Sequence, residues 1–391
     1  MEEGILHAIQ GYMYPNEVEL QWSILIVLYP FTTGLVAGAF ILASLERVFN
    51  VAAVKPTYRL ALLSALAFLL VSPLPLQLHL GHPERSIEMY LTPHTSSAMA
   101  MFGFIYLWYL MAVLVLEIWL DYRKDMVLMA RSETGWKKTL YRILTLGVDN
   151  ISEESLRIDD KLGRFITIVG IPSALLLHGY VGFIFGSVKA NPWWSTPVMP
   201  IVFLFSAIVS GIALVLLMYM LICFLKNIPI DMPCVDTIAR YLMYAFLVDF
   251  TLEMLDLIHR IYEADESFKS LDFMVHTRLY TSSLVQIVFG TIIPIAMLAF
   301  VQLVKLSDAA RKGIYTLAGF LTLMGIFAMR WNVVIGGQLF SKSFLGYTTY
   351  KMAFATKEGL LPAILLMILP FGILWGLVKL LPPFDEEKAA V

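Results

Sequence analysis

A few ionisable side chains lie inside segments that are otherwise apolar enough to cross a lipid bilayer. Arg330 interrupts the stretch GIYTLAGFLTLMGIFAMRWNVVIGGQLF, and His178 interrupts LLLHGYVGFIFG. Asp249, Glu253 and Asp256 lie in a third such segment. A charge at membrane depth is costly, so side chains of this kind are by default functional or tightly paired. They are the candidate site of this chain.

The residue types indicate proton exchange with a neutral, lipid-soluble molecule. The imidazole of His178 and the phenol of Tyr180 can both donate hydrogen bonds to a carbonyl, and histidine exchanges a proton near neutral pH. Asp249, Glu253 and Asp256 recur at i, i+4 and i+7, so they share one helix face and could pass protons. This pattern suits a quinone, with His178 on one ring oxygen and Tyr180 orienting the ring.

Structural interpretations of the same residues remain open. A single histidine in a membrane helix is often a structural hydrogen-bonding group, and small residues around it can serve helix packing. Arg330 could belong to a structural ion pair with Asp256, Glu253 or Glu358, because an unpaired buried charge costs more than a paired one. A haem held between His178 and a histidine nearer the membrane edge, such as His79, is a further possibility.

Composition sets the class of protein. Of 391 residues, 59% are hydrophobic and 15% are charged, whereas soluble domains carry roughly 25% charged residues. Repeated apolar runs of membrane length therefore predict an all-α, polytopic membrane bundle. Cys223 and Cys234 are too few to hold an iron–sulfur cluster, and no CxxCH haem motif occurs. We expect no metal ligands in this chain, no nucleic-acid partner, and any metal redox centre other than a b-type haem in another subunit.

Nine membrane spans are predicted, within a range of eight to ten. They cover residues 22–46, 58–80, 97–120, 165–187, 198–225, 238–258, 279–304, 314–339 and 360–381. We expect one membrane domain over 1–391, with a first bundle at 22–187, a second at 198–339 and a C-terminal helix at 360–381. The polar segment 121–164 predicts amphipathic helices on the cytoplasmic membrane surface.

The distribution of Lys and Arg predicts the orientation. If the N-terminus lies outside, 19 of the 28 basic residues fall in inside segments and 8 in outside segments, with Arg330 as the remaining one. The positive-inside rule then favours an outer N-terminus and a cytoplasmic C-terminus. In this orientation His178, Glu253, Asp256 and Arg330 all lie toward the outer side, which predicts one polar pocket opening there. GxxxG at Gly34 and the SAIVSG stretch at 206–211 hint that spans one to four and five to eight are a parallel duplication.

The order of several motifs resembles the NrfD/PsrC family of membrane subunits over nearly the whole chain. They are YPFTTGLVAGAFILAS (29–44), LHLGHPERS (78–86), SSAMAMFGF (96–104), LHGYVGF (177–183), NPWW with FLFSAIVSG (191–211) and LDLIHR (255–260). The C-terminal motifs AMRWN, TKEGLLPAILL and KLLPPF are closest to the larger branch, which includes HybB and the DsrP/HmeB-type subunits of sulfur metabolism and anaerobic respiration.

This resemblance implies a function and a set of residues. Such subunits bind menaquinone or ubiquinone near the outer face and exchange electrons with a ferredoxin-like iron–sulfur subunit docked there. His178 and Tyr180 match the family's quinone segment, Asp256 and Arg330 match a buried acid and arginine, and Trp22 should help to close the pocket. We expect Glu253 or Asp256 to carry protons. A secondary transporter and a b-type cytochrome anchor are the alternatives that the residues leave open.

Overall fold

A computed structural model describes residues 9–92, 94, 96–262 and 268–384. Within these ranges, eight helices have both the length and the hydropathy of a membrane span. A ninth long helix, α6, carries too many charged residues to meet the same composition limits, but its 31 residues extend about 46 Å. In chain order the nine are α1 Ile24–Arg47, α2 Ala52–His79, α3 Gly103–Ser132, α4 Glu153–Gly186, α5 Met199–Lys226, α6 Met232–Tyr262, α7 Tyr280–Leu303, α8 Asp308–Gln338 and α9 Leu360–Leu380.

The predicted all-α membrane bundle is confirmed, and each predicted span coincides with one of these helices. The sheet content of the described residues is one short antiparallel ladder, β1 Gln10–Gly11 with β2 Gly346–Tyr347. This ladder ties the segment before α1 to the connection between α8 and α9. Two short helices, Gly135–Leu144 and Phe268–His276, lie in the connections.

The segment 121–164 differs from its prediction. Most of it continues the flanking spans, since α3 extends to Ser132 and α4 begins at Glu153. Only Gly135–Leu144 forms a separate helix between them. The Ser152 hydroxyl accepts a hydrogen bond from the Ser155 backbone N–H and so caps the start of α4. The polar first turns of α4 therefore belong to a long helix that projects beyond the apolar layer.

Contacts between connections group the helix ends into two faces. On the face nearest β1, the Ser341 hydroxyl bonds Glu17, His79 lies 3.0 Å from Glu358, and Asn191 donates to the Gly337 carbonyl. We call this the N-terminal face. On the opposite face, the Tyr141 hydroxyl donates to the Leu380 carbonyl at 2.9 Å. Successive connections therefore lie alternately on the two faces, which is the grouping on which the count of Lys and Arg was based. Lys388, one of the residues in that count, lies outside the described residues.

Helices α1 and α5 cross in backbone contact at the centre of the bundle. A Cβ atom added at Gly38 would lie 2.2 Å from the Ala207 carbonyl oxygen, and one at Gly211 would lie 2.4 Å from the Gly38 Cα. Small residues permit this approach, which maximises dispersion contact where lipid offers no hydrophobic driving force. The first and second halves of the chain are therefore in contact at these two glycines.

The third and seventh spans share an unusual feature. Each contains a π-helical stretch, Trp108–Val115 in α3 and Val285–Ile292 in α7. In α7 the stretch brings Gly290 against Gly325 of α8, where an added Cβ would lie 2.1 Å from the Gly325 Cα. π-helical turns are rare and frequently occur at functional sites. Their equivalent positions in the two halves support the proposal of a parallel duplication.

The α1–α5 crossing gives a stability prediction. Gly38→Ala should lower the thermal stability of the purified full chain in detergent, because overpacking costs about 1–3 kcal/mol and the obstructing atoms here are backbone. Gly372→Ala in α9 is the matched control, since nothing lies within 4 Å of its added Cβ. It should leave the melting temperature unchanged or slightly raised, as alanine favours a helix. Equal melting temperatures for the two variants would contradict this account of the crossing.

Candidate functional site

Arg330 lies at the junction of α4, α5 and α8 and is completely buried. Its Nη2 lies 3.0 Å from His178 Nε2, donates to Ser206 Oγ at 2.8 Å and to the Phe203 carbonyl at 3.3 Å. The guanidinium carbon lies 4.0 Å from the centre of the Phe203 ring. The charge is thus held by neutral acceptors and an aromatic face, which is a geometry in which cation–π attraction is strongest because water is excluded.

His178 is also completely buried, and both ring nitrogens have partners. Nε2 faces the donor Arg330, and Nδ1 lies 3.2 Å from Thr33 Oγ1 in α1. An arginine can only donate, so Nε2 must accept and the ring must carry its hydrogen on Nδ1. The imidazole is therefore neutral and connects α1, α4 and α8.

The space for this imidazole comes from a glycine in α1. A Cβ atom at Gly34 would lie 3.2 Å from His178 Cε1 and 3.4 Å from Ala207 Cβ. Thr33 and Gly34 thus provide one hydrogen bond and the room for the ring. In α5, Ser206 provides the equivalent hydrogen bond for Arg330. The GxxxG and SAIVSG patterns noted in the sequence therefore position the two polar side chains as well as packing the helices.

No carboxylate among the described residues lies within ion-pair distance of Arg330. The predicted pairs with Asp256 and Glu358 do not form, because Asp256 is 3.0 Å from Arg260 and Glu358 is 3.0 Å from His79. Glu253 and Asp249 interact with Arg330 only through longer-range electrostatics. The guanidinium is nevertheless a fixed positive charge next to the acidic face of α6.

A second polar group starts from that acidic face. Gln286 Nε2 lies 3.3 and 3.4 Å from the two Glu253 oxygens, and Asn332 Nδ2 donates to Gln286 Oε1 at 2.8 Å. This chain joins α6, α7 and α8. Asn332 Oδ1 and Asp249 Oδ1 are buried without a hydrogen-bond partner. A buried acceptor left unpartnered is costly, so each such atom requires an explanation.

A third polar group lies at the end of α6 nearest the N-terminal face. Asp256 accepts hydrogen bonds from Thr196 at 2.6 Å and from Arg260 Nε at 3.0 Å, and Arg260 also donates to the Pro192 carbonyl. The cluster attaches α6 to the NPWW connection. There the Trp193 and Trp194 indoles donate to backbone carbonyls of α8.

A cavity of about 380 Å³ lies between these two groups, on the side of the N-terminal face. Its walls are mainly apolar and come from α5, α6, α7, α8 and the helix Phe268–His276. The polar lining side chains are Thr196, Glu253, Asp256, Arg260, Asp272, His276, Ser283, Gln286 and Asn332. Its size is within the range of small-molecule sites, about 300–1,000 Å³.

The structure therefore separates the residues that the sequence predicts in one pocket. Glu253 and Asp256 line the cavity, whereas Arg330 and His178 lie in the buried junction behind Met329. Tyr180 is half-buried on α4 and interacts electrostatically with Tyr29. Trp22 stacks on Trp194 with ring centres 5.2 Å apart, and the two close one end of the bundle.

Sequence reasoning overlooked the amide and hydroxyl partners of the charged residues. Gln286 and Asn332 carry no charge, and Thr33 and Ser206 are ordinary in membrane helices, so none stands out from composition. A signal was available for two of them. Asn332 follows Arg330 by two residues, and Gln286 is a polar residue inside an apolar run, four residues before Gly290.

Metal ligation has no evident place in this arrangement. Within the described ranges, no three His, Cys, Asp or Glu side chains converge as a ligand set. The possible haem between His178 and His79 does not fit this geometry, because both ring nitrogens of His178 already have partners, Arg330 and Thr33. Haem ligation would require His178 to leave one of them.

Comparison with known proteins assigns the family. The sequence profile described as "Polysulphide reductase, NrfD" matches residues 14–342. The chain belongs to the NrfD family. The match covers α1 to α8, and so contains the cavity and the Arg330 junction. The resemblance seen in the sequence motifs is confirmed.

Three curated relatives of this NrfD-family chain extend the comparison. It is 29% identical to a protein named as a selenate reductase subunit, from Mesobacillus selenatarsenatis, covering 94% of this chain and 87% of that protein. It is 28% identical to a putative dimethyl sulfoxide reductase membrane subunit of Halobacterium salinarum over 51% of this chain and 43% of that protein. It is 27% identical to the NrfD protein of Escherichia coli over 51% and 59%, respectively.

The Arg330 junction predicts strong coupling between its two side chains. His178→Leu leaves a buried cation short of an acceptor and should destabilise by about 3–5 kcal/mol, whereas Arg330→Met leaves only an unpartnered ring nitrogen and should cost about 1–3 kcal/mol. The double variant should cost clearly less than the sum, because neither polar group is then buried alone. Unfolding free energies from detergent denaturation of the full chain measure this cycle.

His82→Leu is the control, since His82 is 70% exposed and contacts only Glu84. It should have little effect alone and should add to Arg330→Met without coupling. Additive costs for the His178 and Arg330 variants, within about 0.5 kcal/mol, would contradict the proposed contact.

Proposed function

We propose that this chain is the quinone-binding membrane subunit of a respiratory oxidoreductase complex, and that its quinone head group occupies the cavity beside α6. The supporting observation is the cavity itself, which has apolar walls and an end formed by Glu253, Gln286 and Asn332. The unpartnered Asn332 Oδ1 indicates that this end is incomplete without a polar ligand. A lipid-soluble ring with polar substituents satisfies both features.

The cavity residues suit a quinone in three respects. Leu257 and Ile261 are exposed on α6 at the cavity, so a ligand could enter from the lipid. Menaquinone, in its quinol form, supplies two electrons and two protons. Glu253 would accept one hydroxyl proton, and Asp256, whose side chain is 22% exposed, would accept the other and release it to the outer surface. Asn332 and Gln286 would orient the ring.

The buried junction has a different role in this proposal. His178 cannot also bind a quinone oxygen while both ring nitrogens have partners, so we assign it to holding Arg330. Arg330 in turn supplies a positive charge beside Glu253 and Asp249, which makes their ionised forms less costly in a region that excludes water. Tyr180 and Trp22 lie outside the cavity lining, and we assign them to the packing of α4 and of the bundle end.

We further propose that the N-terminal face is the outer face and receives the partner subunits. The excess of Lys and Arg at the opposite face supports this orientation. The names of the relatives support assembly with reductase subunits, and the family supports a quinone-interacting role. A ferredoxin-like iron–sulfur subunit on the outer face would accept the electrons, because the cavity lies near that face.

The two alternatives are less well supported by the site. A secondary transporter would be expected to have spans broken near mid-membrane with backbone groups turned toward a substrate, whereas α6 and α8 run continuously past the polar residues. A b-type cytochrome anchor would require histidines that face one another, and His178 is already held by Arg330. A quinone site, by contrast, requires no rearrangement of these polar groups.

Co-purified quinone tests this proposal. The full chain isolated in a mild detergent should release a menaquinone or another quinone into organic solvent, detectable by chromatography and ultraviolet absorbance. Glu253→Gln should reduce the amount bound several-fold, because it removes a charged acceptor from the cavity. Gln302→Leu, at the opposite end of α7 from Gln286, is the control and should retain it. Absence of quinone from the wild-type extract, or a haem Soret band, would contradict the proposal.

Labelling of introduced cysteines tests the orientation. Lys342→Cys lies on the N-terminal face and Glu153→Cys on the opposite face, at positions that are 53% and 92% exposed. A membrane-impermeant maleimide should label the first in intact cells and the second only after permeabilisation. The native Cys223 and Cys234 are buried and give a low background. The reverse pattern would place the basic face outside and refute the orientation.

A further inference from the structure

A second cavity, of about 450 Å³, lies between α5 and α8 toward the face opposite the N-terminal face, where α5 ends and α8 begins. It shares no lining residue with the cavity beside α6. Its walls are apolar except on α8, which contributes one lysine and one threonine. The side chains that matter here are Leu217, Met220, Leu221 and Phe224 of α5, with Lys312 and Thr316 of α8.

The polar end of this cavity carries a positive charge that the described residues do not neutralise. Lys312 follows Arg311, whose guanidinium pairs with Asp236 of α6 and with Asp308. Lys312 itself has no ion-pair partner in the part of the chain that the structure describes. The one hydroxyl of the lining, on Thr316, donates its hydrogen to the Lys312 carbonyl at 2.8 Å. The Lys312 ammonium therefore keeps its three N–H donors for a ligand.

The length of the cavity matches one leaflet of a bilayer. Leu217 lies about 14 Å along the helix axis from Lys226, the last residue of α5. The hydrocarbon of one leaflet is about 15 Å deep, half of a core of about 30 Å. Leu217 closes the deep end, since a Cβ atom added at Gly319 would lie 3.0 Å from Leu217 Cγ. The apolar wall therefore extends from the charged end to about the middle of the membrane.

The cavity is also open to the lipid phase along its side. Leu221 and Phe224 line it and are 46% and 76% exposed, respectively. An acyl chain could lie against these side chains without leaving the hydrocarbon. A water-soluble anion would gain nothing from such walls, and a neutral lipid would leave the Lys312 ammonium without a counter-charge. Only a ligand with an apolar chain and an anionic head satisfies both ends.

We propose that this cavity binds an anionic phospholipid, with its phosphate at Lys312 and one acyl chain along α5 as far as Leu217. Basic pockets between membrane helices are suited to anionic head groups. Phosphatidylglycerol presents an uncompensated negative charge to the ammonium, whereas phosphatidylcholine carries its own cation next to its phosphate. The lipid would bridge α5 and α8 at the end of the bundle away from the proposed quinone site, and the proposal does not depend on that site.

Lipid titration followed by native mass spectrometry tests this site. The full chain, delipidated in detergent, is titrated separately with phosphatidylglycerol and with phosphatidylcholine that carry identical acyl chains. The first phosphatidylglycerol should bind about fivefold more tightly than the first phosphatidylcholine, which is the contribution of one lysine near anionic lipid. Glycerol phosphate, which has the charge but no acyl chain, should not displace it. Equal affinity for the two phospholipids, or displacement by glycerol phosphate, would overturn the proposal.

Substitutions of Lys312 locate the charged end. Lys312→Gln should bring the affinity for phosphatidylglycerol to within twofold of that for phosphatidylcholine, whereas Lys312→Arg keeps the charge and should preserve the preference. Lys138→Gln is the control, because Lys138 is an exposed residue at the same face, on the helix Gly135–Leu144. A preference that survives Lys312→Gln, or that Lys138→Gln abolishes equally, would place the lipid elsewhere.

A larger side chain in the cavity locates the apolar end. Thr316→Phe should weaken the first binding step of both phospholipids at least threefold, because the added ring occupies the space of the acyl chain. Leu317→Phe is the control, since Leu317 is 51% exposed on α8 and does not line the cavity. Unchanged binding to the Thr316 variant, or an equal loss in the Leu317 variant, would contradict the assigned position of the chain.

Discussion

The architecture depends on one arginine being kept charged and buried in the middle of the bundle. Arg330 has no carboxylate partner among the described residues, so its charge is balanced by neutral acceptors: the His178 ring, the Ser206 hydroxyl, the Phe203 carbonyl and the Phe203 ring face. Each lies on a different element from α8. These contacts of Nη2 and of the guanidinium face therefore tie α4 and α5 to α8, and Thr33 adds α1 through the histidine.

The same junction shows how the two halves of the chain cooperate. Small residues in α1 and α5 bring the backbones together at Gly38 and Gly211, and Gly34 leaves room for His178 of α4. In each half a hydroxyl, Thr33 or Ser206, holds the polar side chain. The same short sequence patterns thus support both helix packing and the burial of the polar side chains. In lipid, where no hydrophobic force drives helix association, close packing and interhelical hydrogen bonds hold the helices together.

The sequence predicted the fold more completely than the site, and the reason is physical. Hydropathy follows from the bilayer, which acts on every span alike, so all nine helices could be located, although several begin or end six to twelve residues from the predicted bounds. Hydrogen-bond partners depend on which helix faces meet, and no single sequence specifies that. Glu253 and Asp256 share one helix face as the spacing predicted, and Arg260 follows Asp256 by one turn on that same face. Gln286 on α7, the partner of Glu253, could not be chosen from spacing. Likewise, α4 extends past its apolar core because Ser152 caps it, which a hydropathy boundary does not reflect.

Separating the buried charge from the cavity has a functional logic in the proposed assignment. If Arg330 lay against Glu253 in the cavity wall, it would form an ion pair with that carboxylate and compete with a ligand for it. Behind Met329, Arg330 acts only through its field, so it can favour the ionised carboxylates of α6 without contacting the ligand. In the proposed assignment, the field of Arg330 thus keeps Glu253 able to accept a proton from the ligand.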